Sequence, residues 1–355
     1  MKIAIITDTH WGIRNDSLAF LDNSKKFLDN VFFPHIKKTG IDTVLHLGDL
    51  VDRRKYINFN TATQLRRDFL DPLMGMGTKL ILVAGNHDTY FKNTNEVNAL
   101  QELVVGKYPN VTVYDRYAET IQFDNLPILL LPWICDDNRK QILEAVQRSS
   151  TTVCAGHLEI QGFEMYRGSI VSHGDDRSTF GRFDMVLSGH YHHRSSDGSI
   201  FYLGSHGEFT WSDYDDPRGF HILDTETREV TFIENPYKMF RKVWYNDVDE
   251  KFLQSDIDYS QFKGSMLKVI VTEKNNPIWF DKFIENIESE NPIEIQIVED
   301  HLNLMLENDD DIINEAESTL DIFKKYIDTY DLKNISKDKL QKKISDLYSE
   351  ALTLE

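Results

Sequence analysis

The stretch DTVLHLGDLVD, residues 42–52, decides the fold. Its apolar residues Val44 and Leu47 are typical of a buried strand. Gly48 permits a sharp turn that leaves Asp49 at the carboxyl end of that strand. Open α/β sheets bind ligands at this end of their strands. The stretch therefore predicts a strand that places a carboxylate at a functional edge.

Four further stretches repeat this pattern of an apolar strand followed by a polar cluster: IAIITDTH (3–10), KLILVAGNHD (79–88), TTVCAGHLE (151–159) and FDMVLSGHYHH (183–193). Because the carboxyl ends of such strands meet at one edge of a sheet, their polar side chains are expected to lie together. The candidate metal ligands at this edge are Asp8, His10, Asp49, Asn86, His157, His190 and His192.

This donor set contains oxygen and imidazole ligands and no thiolate, which suits a hard or borderline divalent ion in octahedral geometry, manganese or iron before zinc. Seven ligands exceed the share of one ion, so we expect two ions with Asp49 as the bridging ligand. Two ions about 4 Å apart can hold both the attacking and the leaving oxygen of a phosphoryl group. His87 is then available to donate a proton to the leaving oxygen, and Asp88 is expected to orient the His87 ring.

Composition limits the class of protein. The chain has 355 residues and is 41% hydrophobic, enough for one large domain with attachments. It has neither an apolar run of membrane-spanning length nor a secretion signal, so we expect a soluble, cytoplasmic protein without a membrane partner. The two cysteines, Cys135 and Cys154, are predicted to be ordinary core thiols.

The net charge of −19 is unusual for a protein that contacts nucleic acid. Basic and acidic residues are nearly balanced over residues 1–110, so the excess acid lies further along the chain. This distribution argues against tight binding to bare phosphates without metal, but not against a metal-dependent enzyme that acts on them. Arg53, Arg54 and Lys55 form the densest basic run near a metal motif and are predicted to guide a DNA backbone. Alternatively, the run is a solvated surface, or Arg53 pairs with Asp52.

Strands alternate with probable helices at 17–38 and 61–74, which predicts an α/β (α+β) fold with helices on both faces of a sheet. The later runs SIFYLGS (199–205), RGFHILDT (218–225) and EVTFIE (229–234) are expected to be antiparallel strands of a second sheet packed on the first. The predicted domains are residues 1–235, a small α/β unit at 236–305, and carboxyl-terminal helices at 306–355.

The ordered motifs D-x-H, G-D-x-x-D, G-N-H-D, G-H and G-H-x-H resemble those of the calcineurin-like metallophosphoesterases. With the attached domain and helices, the chain is similar to nuclease subunits of SbcCD-type double-strand-break repair complexes, particularly the bacteriophage form that acts in recombination and replication. The resemblance implies a two-sheet metallophosphoesterase sandwich and exonuclease and endonuclease cleavage of DNA. Manganese is the implied metal, with magnesium or iron as alternatives.

The resemblance also implies how the ligands are divided. One ion would be held by Asp8, His10, Asp49 and His192, and the other by Asp49, Asn86, His157 and His190. His87 would be the catalytic histidine.

Three associations follow from the same resemblance. The small domain would cap the site and bind DNA, helices near the amino-terminal motifs would form a homodimer, and the partner would be an SbcC-type ABC ATPase with a long coiled coil. The carboxyl-terminal helices either dock on the base of that coiled coil or pack back on their own domain.

Two positions depart from the family pattern. Asp52, three residues after Asp49, stands where archaeal and eukaryotic relatives carry a second histidine, and we expect it to orient a metal ligand, a metal-bound water molecule or His87. Gly204-Ser205-His206 replaces a Gly-Ser-Pro sequence. Two other functions remain open: a phosphatase or cyclic-nucleotide phosphodiesterase with the same metal centre, and a non-catalytic scaffold subunit that tethers DNA.

Overall fold

The computed structural model describes residues 1–249, 252, 257–299, 336, 337, 339, 340 and 343. Residues 1–297 form one compact unit. The helices predicted over 306–355 lie almost entirely outside the described residues. Among the residues that are described, no helix is long and apolar enough to cross a membrane.

The first sheet has six strands in the order β14-β13-β1-β2-β3-β4. Four of them run parallel: β1 (Lys2–Ile6), β2 (Thr43–His46), β3 (Lys79–Val83) and β4 (Val111–Tyr114). Strands β13 (Gly219–Asp224) and β14 (Val230–Glu234) form an antiparallel hairpin that pairs with β1. Apolar residues fill both faces of the central strands because the sheet is covered on both sides.

The second sheet has the order β11-β12-β10-β7-β6-β5. Its strands are β5 (Glu119–Phe123), β6 (Leu126–Leu131), β7 (Val153–His157), β10 (Met185–Gly189), β11 (Ser195–Ser196) and β12 (Ile200–Tyr202). Strands β6, β7, β10 and β12 are parallel, and the edge strands β5 and β11 are antiparallel to their neighbours. A short hairpin, β8 (Glu164–Tyr166) and β9 (Ser169–Ile170), follows β7.

The pairing of the later strands differs from the sequence prediction. Strand β12 runs parallel to β10 instead of antiparallel. The hairpin β13–β14 joins the first sheet, where β13 lies between β1 and β14. An interior position explains why five of the six residues of β13 are buried. Local alternation of apolar residues does not specify which sheet a hairpin joins.

The helices cover the outer faces of the two sheets. They are α1 (Ile13–Asp16), α2 (Leu18–Phe27), α3 (Phe33–Thr39), α4 (Phe59–Leu65), α5 (Asp71–Gly75), α6 (Ala99–Leu103) and α7 (Arg139–Arg148). π-Helical turns at Leu28–Phe32 and Arg66–Leu70 join α2 to α3 and α4 to α5, so both long predicted helices are present. Short 3₁₀ turns lie at Arg177–Phe180, Trp211–Asp213 and Tyr259–Phe262.

Side-chain alternation along the strands builds a layered core. Ile3, Ile5 and Leu45 of the first sheet face Leu130 and Val153 of the second. Alternate residues of the first sheet pack on α2 to α5, and alternate residues of the second pack on α7. Cys135 and Cys154 are buried free thiols, as expected. The two-sheet sandwich flanked by helices is therefore confirmed.

Residues 240–298 form a third, three-stranded sheet, β15 (Phe240–Asn246), β16 (Met266–Glu273) and β17 (Glu294–Val298), with α8 (Pro277–Ser289) on one face. The carboxylate of Glu208 joins this accessory sheet to the sandwich. It accepts hydrogen bonds from the backbone N–H groups of Met239 and Phe240 at 2.7 and 2.9 Å. The predicted division at residue 235 thus falls next to a buried polar connection.

Candidate metal centre

Five strand ends bring the predicted ligands to one edge of the sandwich. Asp8 and His10 follow β1, Asp49 follows β2, Asn86 follows β3, His157 ends β7, and His190 and His192 follow β10. Most of these side chains are buried. All seven residues that the sequence singled out as ligands therefore lie in one region.

One group of ligand atoms is formed by Asp8, His10 and His192, whose candidate atoms all lie within 4.8 Å of one another. Nε2 of His10 lies 3.0 Å from Nε2 of His192 and 3.7 Å from Oδ2 of Asp49. The two imidazole nitrogens thus point toward the same small volume.

A second group is formed by Asp49, His157 and His190. Nε2 of His157 lies 3.3 Å from Oδ2 of Asp49 and 2.9 Å from Oδ1 of Asn86. Nδ1 of His190 lies 3.0 Å from the same amide oxygen. Asp49 therefore borders both groups of ligand atoms, which is the position expected of a bridging carboxylate.

The donor atoms fit divalent ions. In an octahedral shell with bonds of about 2.1 Å, neighbouring ligand atoms lie about 3 Å apart, which is the spacing of His10, His192, His157, His190 and Asn86 atoms above. Burial raises the pKa of the Asp8 carboxyl, and the charge of Asp49 raises it further although His157 opposes the shift. A cation between Asp8 and Asp49 would remove that repulsion.

The backbone at this edge is strained. Asp8, His10, Asp49 and His190 have φ values of 52°, 44°, 55° and 87°. Non-glycine residues rarely adopt this left-handed region, and they keep it only where the surrounding structure enforces it. Four of the seven candidate ligands are thus held in costly conformations, which indicates selection for a site.

Glycines permit the close approach of the strand ends. A Cβ atom at Gly48, where φ is +96°, would overlap the His157 ring and lie 2.9 Å from Cα of Gly85. A Cβ atom at Gly85 would in turn overlap the Asp49 carboxylate. Both positions must therefore remain glycine if the two groups of ligands are to share Asp49.

Polar groups on the outer side of two histidines direct the other ring nitrogen toward the site. Nδ1 of His157 donates to the carbonyl oxygen of Leu47 at 2.8 Å, which turns Nε2 toward the site. Nδ1 of His10 lies 3.3 Å from Oδ1 of Asp52, with Nε2 again directed inward. Carboxylate–histidine pairs of this kind orient metal-binding imidazoles.

His87 lies beside both Asp49 and Asp52. Its backbone N–H donates to Oδ1 of Asp49 at 2.8 Å, and its ring Nδ1 bonds to the carbonyl oxygen of Asp52 at 2.5 Å. The His87 ring packs edge to face against His10, with ring centroids 4.8 Å apart. His10, Asp49 and His87 also form a third group of ligand atoms, so His87 lies at the edge of the candidate metal site.

The structure corrects the role expected of Asp88. Its buried carboxylate accepts hydrogen bonds from the backbone N–H groups of Asp49, Val51 and Gly85, at 2.9, 3.2 and 2.8 Å. The bond that orients the His87 ring comes instead from the Asp52 carbonyl oxygen. Asp88 therefore holds two strand ends together, and burial raises its pKa to about 7.

The charges of the second group are complementary. Burial alone would raise the pKa of Asp49, but His157 and His87 outweigh it and hold that pKa well below its usual range. Burial likewise opposes protonation of His157, but Asp49 raises its pKa to about 9. In contrast, burial lowers the pKa values of His190 and His192, which favours neutral rings.

The basic cluster divides into residues with different surroundings. Arg53 donates to the Asp16 carboxylate at 2.8 Å and to Asn15, so its charge is committed away from Asp52. Arg54 donates to the carbonyl oxygen of Phe91 at 3.5 Å. Arg54 and Lys55 remain the predicted phosphate contacts of the cluster.

Sequence reasoning missed Glu159, which lies two residues after His157. Its Oε1 lies 3.7 Å from Nε2 of His190 and 3.2 Å from Nε2 of His173. The side chain therefore approaches the nitrogen of His190 that faces away from Asn86. A carboxylate so close to a ligand in the sequence could have been weighed as an outer partner.

Phe209 was also missed, and it borders the first group of ligands. Its ring centroid lies 5.7 Å from that of His10 and 5.6 Å from that of His192. His206, which stands where the family pattern has a proline, has a structural role. Its Nε2 is hydrogen-bonded to the hydroxyl of Ser24 at 3.0 Å, and burial lowers its pKa to about 4. His46 is likewise buried and bonds to Thr9 at 2.9 Å.

Comparison with known proteins agrees with this geometry. Residues 1–194 match the family described as calcineurin-like phosphoesterase. The chain is 34% identical over 358 residues to "Exonuclease subunit 1" of Enterobacteria phage T4, which covers 99% of each chain. It is 27% identical over 270 residues to the SbcD subunit of the nuclease SbcCD from Staphylococcus saprophyticus, which covers 68% of this chain and 70% of the relative.

A solved dimetal phosphatase from Danio rerio is 12% identical and superimposes with a TM-score of 0.39, covering 62% of this chain and 91% of its own.

Proposed function

The chain belongs to the calcineurin-like phosphoesterase family, and from that premise we propose that it is a two-metal DNA nuclease with exonuclease and endonuclease activity. The observation that supports this most strongly is the position of Asp49, which belongs to the second group of ligand atoms and lies 3.7 Å from Nε2 of His10 in the first. Manganese is the preferred metal because the ligands combine carboxylate, amide and imidazole donors. Bound there, the two ions would polarise the phosphodiester and lower the pKa of the attacking water.

The chain's own residues would then carry the proton and hold the geometry. His87 donates a proton from Nε2 to the leaving oxygen, while its Nδ1–H remains bonded to the carbonyl oxygen of Asp52. After transfer the ring is neutral with its proton on Nδ1. Asp52 orients His10, and the Leu47 carbonyl oxygen orients His157.

DNA is the proposed substrate, rather than a phosphate monoester or a cyclic nucleotide, for two reasons. The relatives that match most of the chain are named as an exonuclease subunit and a nuclease subunit. The accessory sheet at 240–298 also adds a surface beside the site that a small-molecule hydrolase does not need.

The partner is proposed to be an SbcC-type ABC ATPase, with which the chain would process DNA ends in recombination, replication and repair in the cytoplasm. The word "subunit" in the names of both relatives supports a partner. The region proposed to contact it, 306–355, lies almost entirely outside the described residues. Truncation after Asn308 is expected to spare the isolated chain's nuclease activity but to abolish co-purification with the ATPase.

A homodimer is proposed through helices that follow the first two motifs. Leu18 begins α2 and is 58% exposed, and Phe59 begins α4 and is 90% exposed. Exposed apolar side chains of this size are typical of surfaces covered by another chain.

Arg54 and Lys55 are proposed to guide the DNA backbone toward the metals. Each phosphate contact releases counterions, so replacing both with Ala would flatten the salt dependence of duplex binding. Arg53 is excluded from this role by its bonds to Asp16 and Asn15.

One assay separates the candidate functions. The purified chain is incubated with Mn²⁺ and, in parallel, with a DNA duplex, a phosphate monoester and a cyclic nucleotide. The proposal expects release of nucleotides from the duplex at a rate that far exceeds turnover of the two small substrates. Preferential hydrolysis of a small substrate would identify a phosphatase or cyclic-nucleotide phosphodiesterase, and binding of DNA without any hydrolysis would identify a tethering protein.

A further inference from the structure

Trp133 lies beside the second group of ligand atoms, although no motif in the sequence marks it. It follows β6 after Pro132, and β6 runs parallel to β7, which ends at His157. The ring centroid of Trp133 lies 6.0 Å from that of His157 and 5.2 Å from that of His190. A sixth strand end therefore contributes to the site, and it contributes an aromatic ring instead of a metal ligand.

Three hydrogen bonds fix the backbone of Trp133. Its N–H donates to the carbonyl oxygen of Ala84 at 2.8 Å, and Ala84 lies two residues before Asn86. Its carbonyl oxygen accepts from the side-chain amides of Asn95 and Asn138 at 2.8 and 3.0 Å. Both of these amide side chains belong to buried residues. Burial of an amide is unfavourable unless the group is hydrogen-bonded, so this arrangement specifies where the indole lies.

The aromatic rings that border the two groups of ligands differ in exposure. Phe209, beside the first group, is 2% exposed, so it closes that side of the site. Trp133, beside the second group, is only half-buried. In the part of the chain that the structure describes, Trp133 does not belong to the apolar core of either sheet. Part of the indole is therefore left facing solvent next to two candidate ligands.

An exposed indole beside a site for phosphate suits a nucleobase. Bases stack on aromatic side chains whatever their identity, because every base has a π-face. Trp133 contacts the rings of two candidate ligands, and a base is joined to its phosphate by only one sugar. A nucleotide whose phosphate lies at the metals can therefore place its base on the indole. A base inside a duplex is already stacked on both sides, so this nucleotide must first leave the helix.

We propose that Trp133 is a specificity-determining residue, which stacks on the base of the nucleotide whose phosphate lies at the metals. This inference rests on the proposed nuclease function and names the form of substrate that the site accepts. That form is a nucleotide outside the base stack, as at a frayed end or in a single strand. Stacking would also favour nucleotides over phosphate esters that carry no base.

Equilibrium binding of two small probes to the full chain, measured by calorimetry in Mn²⁺, tests the stacking. The first probe is the phosphonate analogue of thymidylate, in which a methylene group replaces the ester oxygen so that nothing is hydrolysed. The second is the same sugar phosphonate without a base. Trp133→Ala removes the ring, and Trp133→Phe retains an aromatic face. Trp279→Ala is the matched control, because Trp279 is 52% exposed on α8 of the accessory sheet.

The wild-type chain should bind the thymidylate analogue more tightly than the probe without a base. Trp133→Ala should bind the thymidylate analogue roughly 5- to 50-fold more weakly, which removes most of that preference. Its affinities for the probe without a base and for Mn²⁺ should change less than about twofold, and Trp133→Phe should recover most of the loss. The Trp279→Ala control should bind both probes as the wild type does.

A role in packing the histidine rings alone gives a different result. Trp133→Ala would then lose Mn²⁺ and bind both probes equally weakly, which would overturn the stacking role. Unchanged binding of the thymidylate analogue would overturn it as well. Should Trp133→Ala fail to fold, Trp133→Leu decides, since leucine retains an apolar contact with the histidines but has no aromatic face. The Leu variant should likewise lose the preference for the probe with a base.

The nuclease proposal is judged separately by cleavage of a DNA duplex in Mn²⁺. If the wild-type chain cleaves the duplex but binds the two probes equally, only the stacking role of Trp133 is wrong. A wild-type chain that binds neither probe and does not cleave DNA would overturn both proposals.

Discussion

Oδ1 of Asp52 lies 3.3 Å from Nδ1 of His10, and the carbonyl oxygen of the same residue bonds to Nδ1 of His87. One residue thus contacts a candidate metal ligand through its side chain and the candidate acid through its backbone. A carboxylate cannot take over the role of a histidine that stabilises negative charge, but it can orient one.

Asp52→Asn retains the shape and one oxygen acceptor, so we expect it to keep appreciable activity. Asp52→Ala removes the carboxylate beside Nδ1 of His10 and should lose more, about 10- to 100-fold, with metal content near normal in both variants. Turnover and metal analysis of the two proteins check this. If Asn abolished turnover as completely as Ala while both metals remained, the negative charge itself would be required.

His87→Asn tests the proton donor. Removal of a general acid commonly costs ~10²–10⁴ in rate, and the Asn variant should show this loss while it retains both metals. Single-turnover cleavage of a duplex, followed by metal analysis of the same sample, measures both quantities. Loss of an ion from the variant would instead make His87 a ligand, which its grouping with His10 and Asp49 would then explain.

Glu159 contacts His190 and His173 but none of the ligands of the first group. Glu159→Ala is therefore expected to weaken binding of one Mn²⁺ by about 10- to 100-fold and to leave the other nearly unchanged. Titration followed by electron paramagnetic resonance reports both affinities. His173→Gln is the matched control and should have a smaller effect, because His173 reaches the site only through Glu159. If Glu159→Ala lowered the affinity for both ions equally, Glu159 would not act through His190 alone.

Glu208 provides a pH-dependent test of the connection to the accessory sheet. Burial raises its pKa to about 7, so the folded protein retains a proton there that the unfolded chain has lost. Stability from this group is present at low pH and is lost as the pH rises from about 4.5 to about 7. Glu208→Gln does not titrate and keeps an oxygen that can accept from Met239 and Phe240.

The variant should therefore gain stability relative to the wild type between pH 5 and 8, by on the order of 1–3 kcal/mol. Urea unfolding across this range measures the difference, and Glu234→Gln on the exposed end of β14 is the control. A difference that stays constant with pH would mean that the Glu208 carboxyl is already ionised in the folded protein at pH 5.

The positions of the ligands could be predicted from sequence because each one follows a buried strand, and parallel strands end at the same edge. The left-handed backbone conformation of Asp8 and Asp49 could not be predicted from the sequence, since it results from contacts between loops. The hydrogen-bond partners of Asp88 could not be predicted either, because its carboxylate oxygens accept from N–H groups at two different strand ends.

Pairing between segments that are distant in the sequence could not be predicted either. Strand β13 carries an apolar run that suits either sheet, and only its register with β1 decides the choice. Lys242 of β15 and Lys268 of β16 are paired in the accessory sheet, but they are separated by 26 positions in the sequence, and nothing in either local pattern indicates that they are neighbours.

Electron paramagnetic resonance of bound Mn²⁺, with a count of the ions per chain, decides whether two ions share Asp49. The wild-type chain should bind two ions whose spectrum shows spin coupling, because a bridging carboxylate keeps them about 4 Å apart. Asp49→Ala should lose the coupled signal. A wild-type chain that saturates with one ion, or with two that are magnetically isolated, would show that Asp49 does not bridge two ions.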